Sequence, residues 1–387
     1  MRVLIVHNQL WAHYKAIIFN ELQKLSVLHP DFKLHVVQAA IVERSRLSLG
    51  NVDLSGHKYS YDLLHNGALE DISEWQKFKG ILRNINQFKP DIVNLTGFYE
   101  LSTILILFYC KWKGIKTILS NESTAMDLVR IGWKEKLKSF IVRKFDGYFN
   151  FGTLSANYVM KLGAKPDQIL VKRNCVDNQA LREIFNNCLP EKNSIKQALG
   201  LPERNFIFVG RLIEEKNLYR LLEAFQKTQQ ENISEQWGLI LLGDGVLKES
   251  LGNFVKENKI NNIHFVDGMT WDKVPEYLCL SDVLVLPSTY EPWGLVVNEA
   301  MACGMPVLVS EQCGCHVDLV QNGKNGYTFN PLDTGEITDT LLKMMHFGNE
   351  LSKFGNYSEK IIREYSPQNV AKEMFDGFKK ICLPAKL

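Results

Sequence analysis

The sequence predicts an α/β protein made of two doubly wound, Rossmann-like domains. Three observations carry that prediction. Short apolar runs rich in Val, Ile and Leu recur along the 387-residue chain. Helical patterns lie between them, the alternation of a parallel sheet covered on both faces. The alternation pauses at the polar stretch PEKNSIKQALGLPERN (Pro190 to Asn205) and then restarts. That stretch carries turn residues and no strong strand, so it is expected to link a domain of residues 1–190 to one of 191–366.

In the first half, RVLIVH (Arg2 to His7) has the β-branched character of a buried parallel strand. A helix is expected from about Tyr14 to Leu25. Further strands are expected at LHVVQAA (34–40), DIVNLT (91–96), KTILSNE (116–122), FDGYFNFG (145–152) and QILVKRN (168–174), with a helix over Ile104 to Lys113. In the second half, strands are expected at NFIFVG (205–210), GLILLG (238–243), NIHFVD (262–267), DVLVLP (282–287) and PVLVS (306–310). Helices are expected over Asn217 to Gln229 and Val274 to Cys279.

Composition narrows the class. An apolar fraction of 45% with 23% charged residues fits a folded globular protein and argues against disorder. The apolar run at Met1 is too short for a signal peptide. The run from Ile104 to Cys110 ends in KWK, well below the roughly 20 residues of a bilayer span. The expectation is a cytoplasmic protein, soluble or peripheral on the cytoplasmic membrane face. Its eight Cys residues are expected to be reduced. The net charge of +2 is unevenly spread. Residues 1–180 hold 24 Lys/Arg against 16 Asp/Glu, and the remainder 21 against 27. A basic first half suits an anionic partner, and chance distribution of solvated charge explains it as well. WKEKLKSFIVRKF (Trp133 to Phe145) mixes aromatics with Lys and Arg at helical spacing, which fits a membrane surface or an ordinary packed helix.

The chemistry concentrates in two segments. FVGRLIEEKNL (Phe208 to Leu218) places Arg211 and Lys216 on a strand-to-helix loop. EPWGLVVNEAMACGMPV (Glu291 to Val307) places Glu291 and Glu299 on a second loop and helix. Cations suit a diphosphate, carboxylates suit sugar hydroxyls, and the first amides of a helix suit residual negative charge. No two Asp residues are separated by a single residue, so a metal-binding Asp-x-Asp is absent and no metal or cofactor is expected. GDG (Gly243 to Gly245) is half of a dinucleotide fingerprint, with Lys248 where a third Gly would stand; a plain tight turn explains it equally. Cys313-Gly314-Cys315-His316 has no second cluster to complete a metal site and is expected to be ordinary loop.

In these two segments, from about Phe206 to Pro331, the chain resembles the family-4 retaining glycosyltransferases of GT-B fold, the glycosyl transferases group 1. Before Asn150 the resemblance is topological only. It implies that Arg211 and Lys216 grip the diphosphate, that Glu291 contacts the transferred sugar, and that Glu299 accepts the ribose hydroxyls. It implies a donor pocket lined by Gly210, Gly243, Asp244, Gly245, Met269, Trp293, Gly294 and Leu295, with VDGMTWDKV (Val266 to Val274) as the base-binding loop. It implies two domains facing a cleft, and a final helix, near Pro367 to Ile381, that crosses back onto the first domain.

Two departures from the family stand out. The loop HNQLWAHYK (His7 to Lys15) lacks the paired glycines many members carry there, and TGFYEL (Thr96 to Leu101) lacks their His. His13, Tyr14, Glu100 and Glu122 are the acceptor-site candidates. The expected function is retaining transfer of a hexose from a nucleotide sugar to a hydroxyl of a glycan or lipid-linked acceptor, in polysaccharide or glycoconjugate synthesis, without nucleic acid. A nucleotide-sugar epimerase and a non-catalytic nucleotide-sugar scaffold are the alternatives.

Overall fold

The computed structural model describes residues 1–44, 54–124, 132–231 and 236–382. The chain forms two compact units, one of Met1–Cys175 with the helix Pro367–Cys382, the other of Val176–Ser366. Residues 383–387 of the expected returning segment lie outside the described residues.

The first unit is a parallel sheet of β1 (Arg2–Gln9), β2 (Lys33–Ala40), β3 (Tyr61–Leu63), β4 (Ile92–Thr96), β5 (Lys116–Asn121), β6 (Gly147–Asn150) and β7 (Ile169–Lys172). Their spatial order is β3-β2-β1-β4-β5-β6-β7. Side chains alternate across the pleat. Val3 and Ile5 therefore pack with Phe19, Leu22 and Phe375, while Leu4 and Val6 pack with Ile81, Ile85 and Ile106 on the other face. A strand apolar on both sides needs helices on both, and the two clusters supply them.

The second unit repeats the plan with β8 (Arg204–Val209), β9 (Trp237–Leu242), β10 (Ile263–Val266), β11 (Val283–Leu286), β12 (Val307–Ser310) and β13 (Gly326–Phe329). The order is β10-β9-β8-β11-β12-β13, again parallel.

The stretch Pro190–Asn205 is not a linker. It holds the helix Lys192–Leu199 inside the second unit, ended by Gly200 in the left-handed region at φ 65°. Lys196 is buried there and donates to the Glu203 carbonyl at 2.6 Å. Polar composition marked a turn-rich segment, but one buried lysine stem and a glycine stop suffice for two helical turns.

Candidate active site

Each strand order reverses once, between β1 and β4 in one sheet and between β8 and β11 in the other. Loops leaving two such strands diverge to opposite faces and open a crevice at the carboxyl ends, where open α/β sheets bind ligands. In the second unit both motifs fall on that crevice: β8 runs into Gly210 and Arg211, and β11 into the segment 287–291.

The two loops are stitched together. Thr289 N donates to Glu215 O at 2.8 Å. Asn217, at φ 57°, donates from Nδ2 to both Pro287 O at 3.2 Å and Pro331 O at 2.7 Å. Lys216 Nζ forms an ion pair with Glu291 Oε2. Arg211 is exposed and has no side-chain partner among the described residues. Sequence reasoning found Lys216 but missed Asn217, whose buried amide ties the residue after the lysine to two other loops. The loop after β12 closes the other side, with Gly314 N donating to Glu291 O at 2.8 Å. A Cβ on Gly314 would lie 1.9 Å from Pro292 O, so only glycine admits this approach.

Gly294, at φ 95°, turns the chain into the helix Leu295–Ala302, whose first amides have no acceptor within the helix. Glu299 lies one turn in, half-buried, and burial pushes its carboxyl up to about 7. The side chain of Trp293 turns away from solvent. It is 4% exposed in the core, and its indole N–H donates to Asn298 Oδ1 at 2.8 Å. Its aromatic bulk braces the loop from beneath.

The turn after β9 packs on the turn after β8. Leu212 N donates to Asp244 O at 2.8 Å, and a Cβ on Gly243 would lie 1.9 Å from Gly210 O. Asp244 Oδ2 accepts from Gly268 N at 2.7 Å, while Lys248 pairs with Asp244 at 2.7 Å and also with Asp267. The hydrogen bonds from Lys248 and Gly268 hold the Asp244 carboxyl below the usual range. Gly243, Asp244 and Gly245 thus fix the start of the loop that carries Met269, which is half-buried against the core. Cys313 and Cys315 are buried in that core, where burial pushes both thiols up. His316 Nδ1 faces Cys313 O at 2.7 Å.

In the first unit the loop after β1 is short, since the strand reaches Gln9 and the helix His13–Leu28 follows. His13 and Tyr14 form an edge-to-face pair at 5.9 Å. Glu100 is committed elsewhere. It pairs with the buried Lys77 at 2.9 Å, and Lys77 also holds Glu74 at 2.7 Å, tying two helices together. Glu122 lines a cavity of about 40 Å³ at the β1/β4 edge, with His7, Lys15, Asn150 and Arg173. Lys15 and His7 were missed as site residues. Lys15 occupies a position of the apolar stripe Lys15, Phe19, Leu22, Ser26, and a lysine on such a stripe is a signal the sequence does carry.

The profile of the family glycosyl transferases group 1 matches residues 191–361, a span that holds every second-unit motif described above. An uncharacterised glycosyltransferase of Methanocaldococcus jannaschii is 30% identical to the chain over 198 residues, 49% of this chain and 48% of that protein. Another from the same organism is 22% identical over 328 residues, 81% of this chain and 86% of that protein. The chain therefore spans about half of the first relative and most of the second. The crystal structure of Anabaena HepE in complex with UDP and glucose superposes at a TM-score of 0.73, covering 98% of this chain and all of that one at 15% identity. The group 1 segment and the first unit together have the GT-B fold of two Rossmann-like domains.

Proposed function

We propose that the protein is a retaining, metal-independent glycosyltransferase that moves a hexosyl group from a nucleoside-diphosphate sugar to a hydroxyl of a glycan or lipid-linked acceptor. The observation that carries this is the juxtaposition of Arg211, Lys216 and Glu291 at the β8/β11 switch point. A leaving diphosphate gains negative charge as its bond to the anomeric carbon breaks, and cations already in place stabilise it. Glu291 sits against Lys216 and is positioned for the sugar. Glu299 takes the ribose. The acceptor oxygen bonds to the anomeric carbon on the face the diphosphate leaves, and its proton passes to the leaving diphosphate. HepE, of the same fold, binds UDP and glucose, which supports a nucleotide-sugar donor here. The setting would be cell-surface polysaccharide or glycoconjugate synthesis.

The proposed partner surface for a lipid-linked acceptor is a peripheral membrane contact. Among the described residues no helix is long and apolar enough to cross a membrane. On the helices Leu101–Lys113 and Gly132–Val142, however, Phe108, Trp112, Leu137 and Phe140 are 40%, 75%, 52% and 53% exposed. Phe108 and Phe140 stack at 6.2 Å, with Lys113 over Trp112 and Lys144 over Phe140. The side chain of Trp133 lies outside the described residues. Apolar groups ringed by cations suit an anionic bilayer.

A panel of nucleotide sugars offered with an undecaprenyl-linked acceptor and with free glycans tests the transfer. A glycosylated product from one donor supports it. Epimerised donor with no acceptor consumed would establish the epimerase instead, and nucleotide binding without product would leave a scaffold.

A further inference from the structure

At the β1/β4 switch point of the first unit, two buried donors lack hydrogen-bond acceptors among the described residues. Lys15 is 7% exposed, and its ammonium makes no hydrogen bond among the described residues. Its Nζ stands 3.4 Å from the centre of the Phe151 ring. Asn150, at the end of β6, is fully buried. Its Oδ1 accepts from Ser155 Oγ at 3.4 Å, but its Nδ2 has no partner among the described residues. Both residues line the same cavity of about 40 Å³, which also meets His7 and Arg173.

Buried donors without acceptors are rare because each forfeits its hydration without return. An ammonium is the costliest case, with three N–H groups and a full charge. A ring face compensates only part of that. Glu122 is the one carboxylate of the wall, and neither Lys15 Nζ nor Asn150 Nδ2 makes a hydrogen bond to it among the described residues. Gln38 Oε1 is taken by His7 Nδ1 at 3.1 Å, and Arg173 is a further donor, ion-paired with Glu373. Glu122 shares the cavity and favours the charged form of Lys15, while burial brings that lysine down to about 8, so it remains mostly protonated at neutral pH. The space admits a few waters or one small oxyanion head, not a sugar ring.

We infer that this cavity is a subsite for one anionic group, a phosphate or carboxylate, carried by the acceptor. Oxygens of that group would accept from Lys15 Nζ and Asn150 Nδ2. That the group belongs to an acceptor rests on the transfer activity proposed above. The anion-binding itself stands on the cavity alone.

Calorimetry on the full chain tests it, with excess UDP present so that phosphate does not compete at Arg211 and Lys216. Inorganic phosphate, glucose 6-phosphate and glucose are titrated separately. Wild type should bind both phosphates at least tenfold more tightly than glucose. Lys15→Met should lose that difference, and Lys15→Arg should retain most of it. A second readout covers folding: the Tm of wild type should rise with phosphate, and that of Lys15→Met should not. Equal phosphate binding by wild type and Lys15→Met overturns the subsite, as does no preference for phosphates over glucose. Binding of inorganic phosphate with exclusion of glucose 6-phosphate overturns the acceptor assignment. UDP, titrated first into each protein, reports separately on the donor site.

Discussion

Lys216 and Glu291 form an ion pair across 75 residues of sequence, joining the loop after β8 to the loop after β11. Both are largely shielded, with side chains 13% and 20% exposed. In the proposed transfer, the pair sets the cation for the departing diphosphate beside the carboxylate for the sugar. Arg211 is exposed on the same loop, and in the proposed transfer it takes other phosphate oxygens.

Replacing Arg211 or Lys216 by Ala should lower kcat by roughly 10²-fold or more, since each removes a stabiliser of developing charge. EDTA should leave wild-type turnover unchanged. Steady-state kinetics with the active donor checks both points. Complete loss in EDTA with recovery on adding manganese would overturn the metal-independent mechanism.

Asn217 should matter to stability as well as to catalysis. Its amide satisfies two carbonyls from two other loops, and its backbone sits in the left-handed region. Asn217→Ala removes both hydrogen bonds and places a Cβ-bearing residue without polar compensation at positive φ. The expected cost is about 2–4 kcal/mol in urea unfolding. Asn217→Gly should cost less than Ala because it relieves the backbone. An Ala variant as stable as wild type would show that the stitch is unimportant.

Glu299 gives a pH signature. Burial raises its carboxyl from 4.5 to about 7. The folded protein therefore holds more protons than the unfolded chain between those values, and this group's contribution to stability falls as pH rises from about 4.5 to 7. Ribose hydroxyls donate best to the ionised form, so nucleoside diphosphate affinity should strengthen from pH 6 to 8. Glu299→Gln should flatten that rise. Comparing the two proteins by calorimetry cancels the titration of the diphosphate itself. Glu291→Gln should keep the wild-type profile and lose turnover instead. Parallel pH profiles for wild type and Glu299→Gln would reassign the ribose contact.

Sedimentation with vesicles addresses the exposed aromatic and basic surface. Binding to anionic but not neutral vesicles is expected, weakened by high salt, since each Lys or Arg near such a surface contributes about 1 kcal/mol and salt screens it. Trp112→Ser with Phe140→Ser should reduce binding at any salt, and Lys136→Glu with Lys144→Glu mainly at low salt. Donor hydrolysis should survive all four changes. Equal sedimentation with both vesicle types would remove the electrostatic part.

The alternation of strand and helix was legible because each central strand must be apolar on both faces, a local property visible in RVLIVH or DVLVLP. The two second-unit motifs were legible for a similar reason: a loop must carry its cation or carboxylate within a few residues of the strand end that aims it. Partner choice is not local. Glu100 is near the crevice in sequence, yet Lys77 claims it from another helix. Trp293 stands inside a donor motif, yet Asn298 and the core take its side chain. Short β3 and β13, and the helix Lys192–Leu199, owe their form to neighbours that a window of sequence does not contain. Lys15 and Asn150 are 135 residues apart, and only the packing of β6 near the helix after β1 brings their unpartnered donors to one cavity. Sequence determined which residues could do the chemistry; tertiary structure decided which of them were already spoken for, because hydrogen bonds and ion pairs are allotted by distance in space.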